Sequence, residues 1–214
     1  MQLSSFEKYA MRSLVRAWVM RHVDAPMLFR GLSAGQFPRI LELGCGTGVG
    51  TAEILRHLQP RELVATDLDP DMLRDATRRL REAHLAQRVT FEQVDATRLP
   101  YADGTFDAVV AFAILHHIPE YRAALGEIAR VLKPDGVLLL EEVTRDIHFW
   151  PVNKLMVPAV LLTDTGLLDV LEQYGFEATW KGRYGKAYLF LECAKRSGDP
   201  PSCPFAAAEG GYAA

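Results

Sequence analysis

One stretch, Leu41-Glu42-Leu43-Gly44-Cys45-Gly46-Thr47-Gly48, constrains the fold of this chain more than any other. Residues 39–43 read as a short apolar strand, and glycines at every second position then let the backbone turn sharply. A helical pattern follows at 49–58 and stops before Pro60, so the turn delivers a strand into a helix N-terminus. A dinucleotide-binding turn needs G-x-G-x-x-G. Counting from Gly44 puts Val49 at the third glycine position, and counting from Gly46 puts Thr51 there. The pyrophosphate reading fails on spacing.

The rest of the chain repeats the strand-then-helix rhythm. Strands are expected at 63–67, 89–94, 106–112 and 137–142, and helices at 70–84 and 121–132, with Asp69 as N-cap, Pro70 in the first helical turn and a turn at Pro134-Asp135-Gly136. The 106–112 run is almost continuously apolar, as a strand buried on both faces should be. A helix at 165–174 ended by Gly175, then two strands at 176–181 and 186–193 joined as a hairpin, should close the sheet with one antiparallel strand. The fold class expected is α/β: a doubly wound, mostly parallel seven-stranded sheet with one antiparallel strand, in three α/β/α layers. Residues 1–37 read as an N-terminal helical lid broken at Pro26, 38–196 as the main domain with a substrate-side insertion at 143–164, and 197–214 as a disordered tail rich in Pro, Gly and Ala.

Two further strand ends carry chemistry. About twenty residues beyond the glycines, Ala65-Thr66-Asp67-Leu68-Asp69-Pro70-Asp71-Met72 places an acid where it can accept both ribose hydroxyls of an adenosine cofactor. The third strand runs into Val94-Asp95-Ala96, with Asp103-Gly104-Thr105-Phe106-Asp107 beyond it. The fourth ends in Ala111-Phe112-Ala113-Ile114-Leu115-His116-His117, and Ala129-Arg130-Val131-Leu132-Lys133-Pro134-Asp135-Gly136 closes the series. In this order and spacing, over about residues 38–142, the motifs resemble those of class I S-adenosylmethionine-dependent methyltransferases. The resemblance implies that S-adenosylmethionine is the cofactor, with S-adenosylhomocysteine as product, in a Rossmann-like methyltransferase fold. It implies cofactor contacts from Glu42, Gly44, Cys45, Gly46 and Gly48, ribose binding by Asp67, apolar adenine contacts from Leu68 and Met72, and adenine hydrogen bonds from Asp95 and Ala96. Ala111 and His116 complete the implied pocket.

Methyl transfer from a sulfonium is an in-line displacement, and alignment and desolvation supply much of its rate. A general base matters only where the nucleophile arrives protonated. The candidates are Glu142, His116 and Tyr9, with Glu141 and His117 beside them; one of Glu141 and Glu142 is expected to face the cleft. Large apolar residues outside the shared core (Phe6, Tyr9, Trp18, Phe149, Trp150, Met156) suit a small, apolar acceptor. No Asp/Asn-Pro-Pro-Tyr run follows the fourth strand, which argues against amino-purine N-methylation.

Composition narrows the partners. A net charge of −3 argues against a dedicated nucleic-acid binder, which would carry a basic face, and Arg78-Arg79-Leu80-Arg81 reads as a solvated helix face. The three cysteines lack metal-ligand spacing, so no metal site is expected. The most apolar window, 155–162, is interrupted by Pro158 and far short of the ~20 residues a membrane span needs. A cytoplasmic protein with a small-molecule acceptor is the expectation; oligomeric state and acceptor atom are not legible. The competing reading is a cofactor-binding, non-catalytic partner with the same fold.

Overall fold

A computed structural model describes residues 14–144, 162–185 and 188–196. Among these, seven strands form one sheet: β1 (Arg39–Leu43), β2 (Glu62–Asp67), β3 (Val89–Gln93), β4 (Phe106–Phe112), β5 (Leu132–Val143), β6 (Phe176–Tyr184) and β7 (Tyr188–Lys195). Their order is β3-β2-β1-β4-β5-β7-β6. The first five run parallel, and β7 is antiparallel to both its neighbours. The sheet is therefore the mostly parallel one expected, but it does not end on the antiparallel strand. The hairpin folds back so that β7, with Leu189, Phe190, Leu191 and Cys193 buried, takes the interior place, and the largely exposed β6 takes the edge. The strand with more apolar surface gains more from burial on both sides.

The helices are α1 (Leu14–Val19), α2 (Ala25–Leu28), α3 (Val49–His57), α4 (Pro70–Glu82), α5 (Tyr121–Val131) and α6 (Asp164–Gln173). Asp69 caps α4 by accepting the Asp71 N–H at 2.8 Å, and Gly175 follows α6 at φ +79°. Sheet side chains alternate between two core layers. Leu41, Leu43, Val109, Leu138 and Leu140 pack toward α5 and α6, while Ile40, Val110, Leu139 and Phe190 pack toward α2 and α3. This period-two alternation decides where the polar residues at the strand ends point.

Two local expectations are corrected. Pro26 does not break the N-terminal helix. A π-helical turn, Met20–Asp24, joins α1 to α2, and the Ala25 N–H reaches back to the Met20 carbonyl. The wide turn accommodates a residue without an N–H, so the chain continues through it. The Pro134-Asp135-Gly136 turn lies inside β5 as a bulge: Leu132 pairs with Phe106 but Val137 with Ala108, and Asp135 sits at φ +61°. On α1, Leu14, Val15 and Trp18 are exposed rather than core-facing. Phe6, Tyr9, most of the 143–164 insertion and the 197–214 tail lie outside the described residues.

Candidate active site at the carboxyl edge of the sheet

The order β2-β1-β4 places the topological switch between β1 and β4, where open α/β sheets take ligands at their carboxyl ends. The glycine turn leaves β1 there. Gly44 stands at φ +66°, and a Cβ on it would lie 2.5 Å from Ile114 Cγ1 at the exit of β4. Gly48 stands at φ +76°, and its Cβ would lie 2.9 Å from the Ala76 Cα of α4. At both positions the protein itself leaves no room for a Cβ. Cys45 packs with Ala65 and Ala76 between the same elements.

Asp67 ties this turn to β2. Its Oδ2 accepts the Gly46 N–H at 2.8 Å and its Oδ1 the Asp69 N–H at 2.9 Å. Burial pushes its pKa upward, against the backbone N–H groups that favour the charged form. Each carboxylate oxygen can accept a second hydrogen bond. Beside it, Leu68 is 46% exposed, held by Gln93 Nε2 donating to its carbonyl at 3.1 Å. The Val94 N–H donates to the Asp67 carbonyl at 3.2 Å, bringing the exit of β3 alongside. Asp95 follows, its Oδ1 accepting from Thr97 N and Oγ1 at 2.8 and 2.7 Å, with Ala96 half-buried next to it. Asp67, Leu68, Asp95 and Ala96 thus share one corner. Met72 on α4 and Ala111 within β4 are fully enclosed.

Glu42 lies on the α3 face, as its spacing from Ile40 requires. Thr51 Oγ1 donates to its Oε2 at 2.6 Å, and burial pushes its pKa up to about 8, with the Asp67 charge adding to the rise. Above it, Arg16 and Met20 from the N-terminal helices meet Gly44, Thr47 and Phe112 around a narrow cleft.

Neither Glu141 nor Glu142 opens into that cleft: both are fully buried, on opposite faces of β5. Glu142 shares the face of Leu138 and Leu140. Its Oε2 accepts the Leu115 N–H at 2.9 Å and its Oε1 the Val143 N–H at 2.7 Å, and the His116 Nδ1 contacts Oε1. The His116 and His117 rings lie 4.1 Å apart, centroid to centroid. Glu141 shares the face of Leu139 and meets the N-terminal helices. Arg16 Nη2 lies 3.6 Å from its Oε1 and also pairs with the buried Asp24. Burial pushes Glu141 up to about 8 in spite of Arg16. Arg16 is itself raised: burial works against its charge, but Glu141 and Asp24 outweigh it. Tyr9 lies outside the described residues.

Sequence reasoning missed Arg16, Asp24 and Thr51. The available signal was charge: Arg16 and Asp24 occupy inward positions on a segment whose apolar residues Leu14, Val15 and Trp18 face out.

Comparison with known proteins bears on the same region. Residues 40–136 match the family model described as a methyltransferase domain. A demethylmenaquinone methyltransferase from Porphyromonas gingivalis is 33% identical over 134 residues, covering 62% of this chain and 55% of its own length. A ubiquinone/menaquinone biosynthesis C-methyltransferase from Photorhabdus laumondii is 34% identical over 140 residues, covering 65% of this chain and 53% of its own length. The chain spans about half the length of these curated relatives. A S-adenosylmethionine-dependent methyltransferase from Aquifex aeolicus superposes with a TM-score of 0.74 at 18% identity, covering 91% of this chain and all of that one, so the two share a fold.

Proposed function

We propose that this chain, whose residues 40–136 belong to the class I S-adenosylmethionine-dependent methyltransferases, transfers a methyl group to a small, largely apolar acceptor of the quinone type. The observation that carries the cofactor half is Asp67, fixed between the ends of β2 and the glycine turn with acceptor capacity to spare. In this reading Asp67 takes the ribose hydroxyls, Leu68 covers the adenine, and Asp95 with the Ala96 N–H reads its edge. The turn from Gly44 to Gly48 lies along the methionine portion, with the N-terminus of α3 favouring its carboxylate. When bound, the cofactor supplies an electrophilic methyl on sulfur. The protein's work is to align it and exclude water, which the Arg16–Met20 side of the cleft favours.

The quinone class rests on the two named relatives and on chemistry. An electrophilic methyl needs an electron-rich partner, so the acceptor ring must arrive as the hydroquinone. The test is incubation with S-adenosylmethionine and anaerobically reduced 1,4-naphthoquinone, followed by mass spectrometry. A product heavier by one methylene unit is expected. Turnover confined to amines or fatty acids contradicts the acceptor class and leaves the cofactor half standing.

A further inference from the structure

We propose that the outer face of α1 docks this protein onto an anionic lipid surface, with Leu14, Val15 and Trp18 entering the interface and Arg21 and Arg30 meeting the headgroups. Docking needs neither cofactor nor acceptor, so it stands apart from the methyltransferase reading above.

α1 is amphipathic in the reverse of the usual sense. Arg16 and Met20, four residues apart, point inward: Arg16 reaches Glu141 on β5, and both side chains line the cleft. Leu14, Val15 and Trp18 occupy the opposite arc, at 87%, 71% and 60% exposure. Of the five large hydrophobic side chains exposed among the described residues, three are thus gathered on one short helix. A single exposed apolar side chain is ordinary, but a contiguous group marks a surface that meets something apolar.

Charge selects the occupant. The sole acid in residues 14–38 is Asp24, which is buried and paired with Arg16. The exposed charges of that segment are Arg21 and Arg30, and neither is held in an ion pair. Arg30 lies over the Trp180 ring at 6.0 Å, which leaves its charge unneutralised. The whole chain, by contrast, carries a net charge of −3. A cationic segment on an acidic protein is drawn to an anionic surface in one orientation and repelled in the others. Trp18 suits the boundary between acyl chains and headgroups, having an apolar ring and a single polar N–H. A second copy of the chain would instead bring a second set of the same cations to the face. Because the cleft lies on the inner side of the same helix, an apolar acceptor held in lipid would lie one helix away from it.

The test is sedimentation of the full chain with sucrose-loaded vesicles, made of phosphatidylcholine alone or of phosphatidylcholine and phosphatidylglycerol in equal parts. Binding to the mixed vesicles is expected, at least about tenfold tighter than to phosphatidylcholine alone, since each arginine near an anionic surface contributes about fivefold. Leu14→Ser, Val15→Ser and Trp18→Ser combined should weaken that binding at least about tenfold. Arg21→Gln with Arg30→Gln should weaken it about twentyfold. The glutamine pair carries the test alone where circular dichroism shows that the serine variant does not fold. Failure of the wild type to sediment with either vesicle overturns the proposal. So does equal binding to both vesicles, or binding that either folded variant leaves unchanged. Self-association of the lipid-free protein that the serine variant abolishes, seen by analytical ultracentrifugation, also overturns it and assigns the face to a second copy.

Discussion

Glu42 and Glu141 show what burial does to carboxyl groups with few polar partners. Glu42 has one hydroxyl donor, Thr51, and Glu141 has Arg16 at 3.6 Å but accepts no hydrogen bond among the described residues. Desolvation pushes each up to about 8, against an ordinary glutamate value near 4.3. A folded pKa above the unfolded one means that the native state binds more protons between those limits. Its stabilising contribution is complete below the unfolded value and is lost as pH rises through about 8. The Tm should therefore fall from about pH 5 to about pH 8.5 on this account. Glu42→Gln keeps the shape and can still accept from Thr51, so it should flatten that decline. Thermal melts across the range check it, and an undiminished slope in the variant would count against a protonated Glu42.

At the scale of elements, the glycine turn is a packing device as well as the proposed cofactor edge. Gly48→Ala would force a side chain into a left-handed backbone and against the Ala76 Cα of α4. A loss of about 2 kcal/mol is expected, read as a lower urea midpoint with an unchanged slope. An unchanged midpoint would mean that α3 and α4 are not held together there. The same turn explains why so much was legible. β1 and β4 have the bounds expected from sequence, because continuous apolar runs ending in glycine or a charged turn leave little freedom. The N-terminal segment was harder to read. Pro26 signals a break in any local reading, and the π turn that absorbs it has no sequence signature. The place of β7 was also hidden, since a hairpin pattern does not say which of its strands turns inward.

Across the whole molecule, Arg16 ties the N-terminal helices to the sheet through Asp24 and Glu141. Arg16→Met leaves the buried Asp24 without its cation and should cost on the order of 3 kcal/mol. Pairing it with Asp24→Asn and Glu141→Gln should recover most of that loss in denaturant titrations; additive losses would show that the three do not act as a unit. This network was illegible because its members are brought together only by the finished fold. The corner formed by Asp67, Leu68, Asp95 and Ala96 was legible as a grouping because each of its residues follows its own strand end, where the topology alone sets its position. Asp67 joins the two best-read motifs and carries the central claim. The most direct test is calorimetric titration of the wild-type protein and Asp67→Ala with S-adenosylmethionine and S-adenosylhomocysteine. The account predicts binding of both ligands to the wild type, weakened at least about tenfold in a folded variant that lacks the charge-assisted hydrogen bonds to the ribose. Binding of neither ligand to folded wild-type protein, or equal binding by the variant, would contradict it.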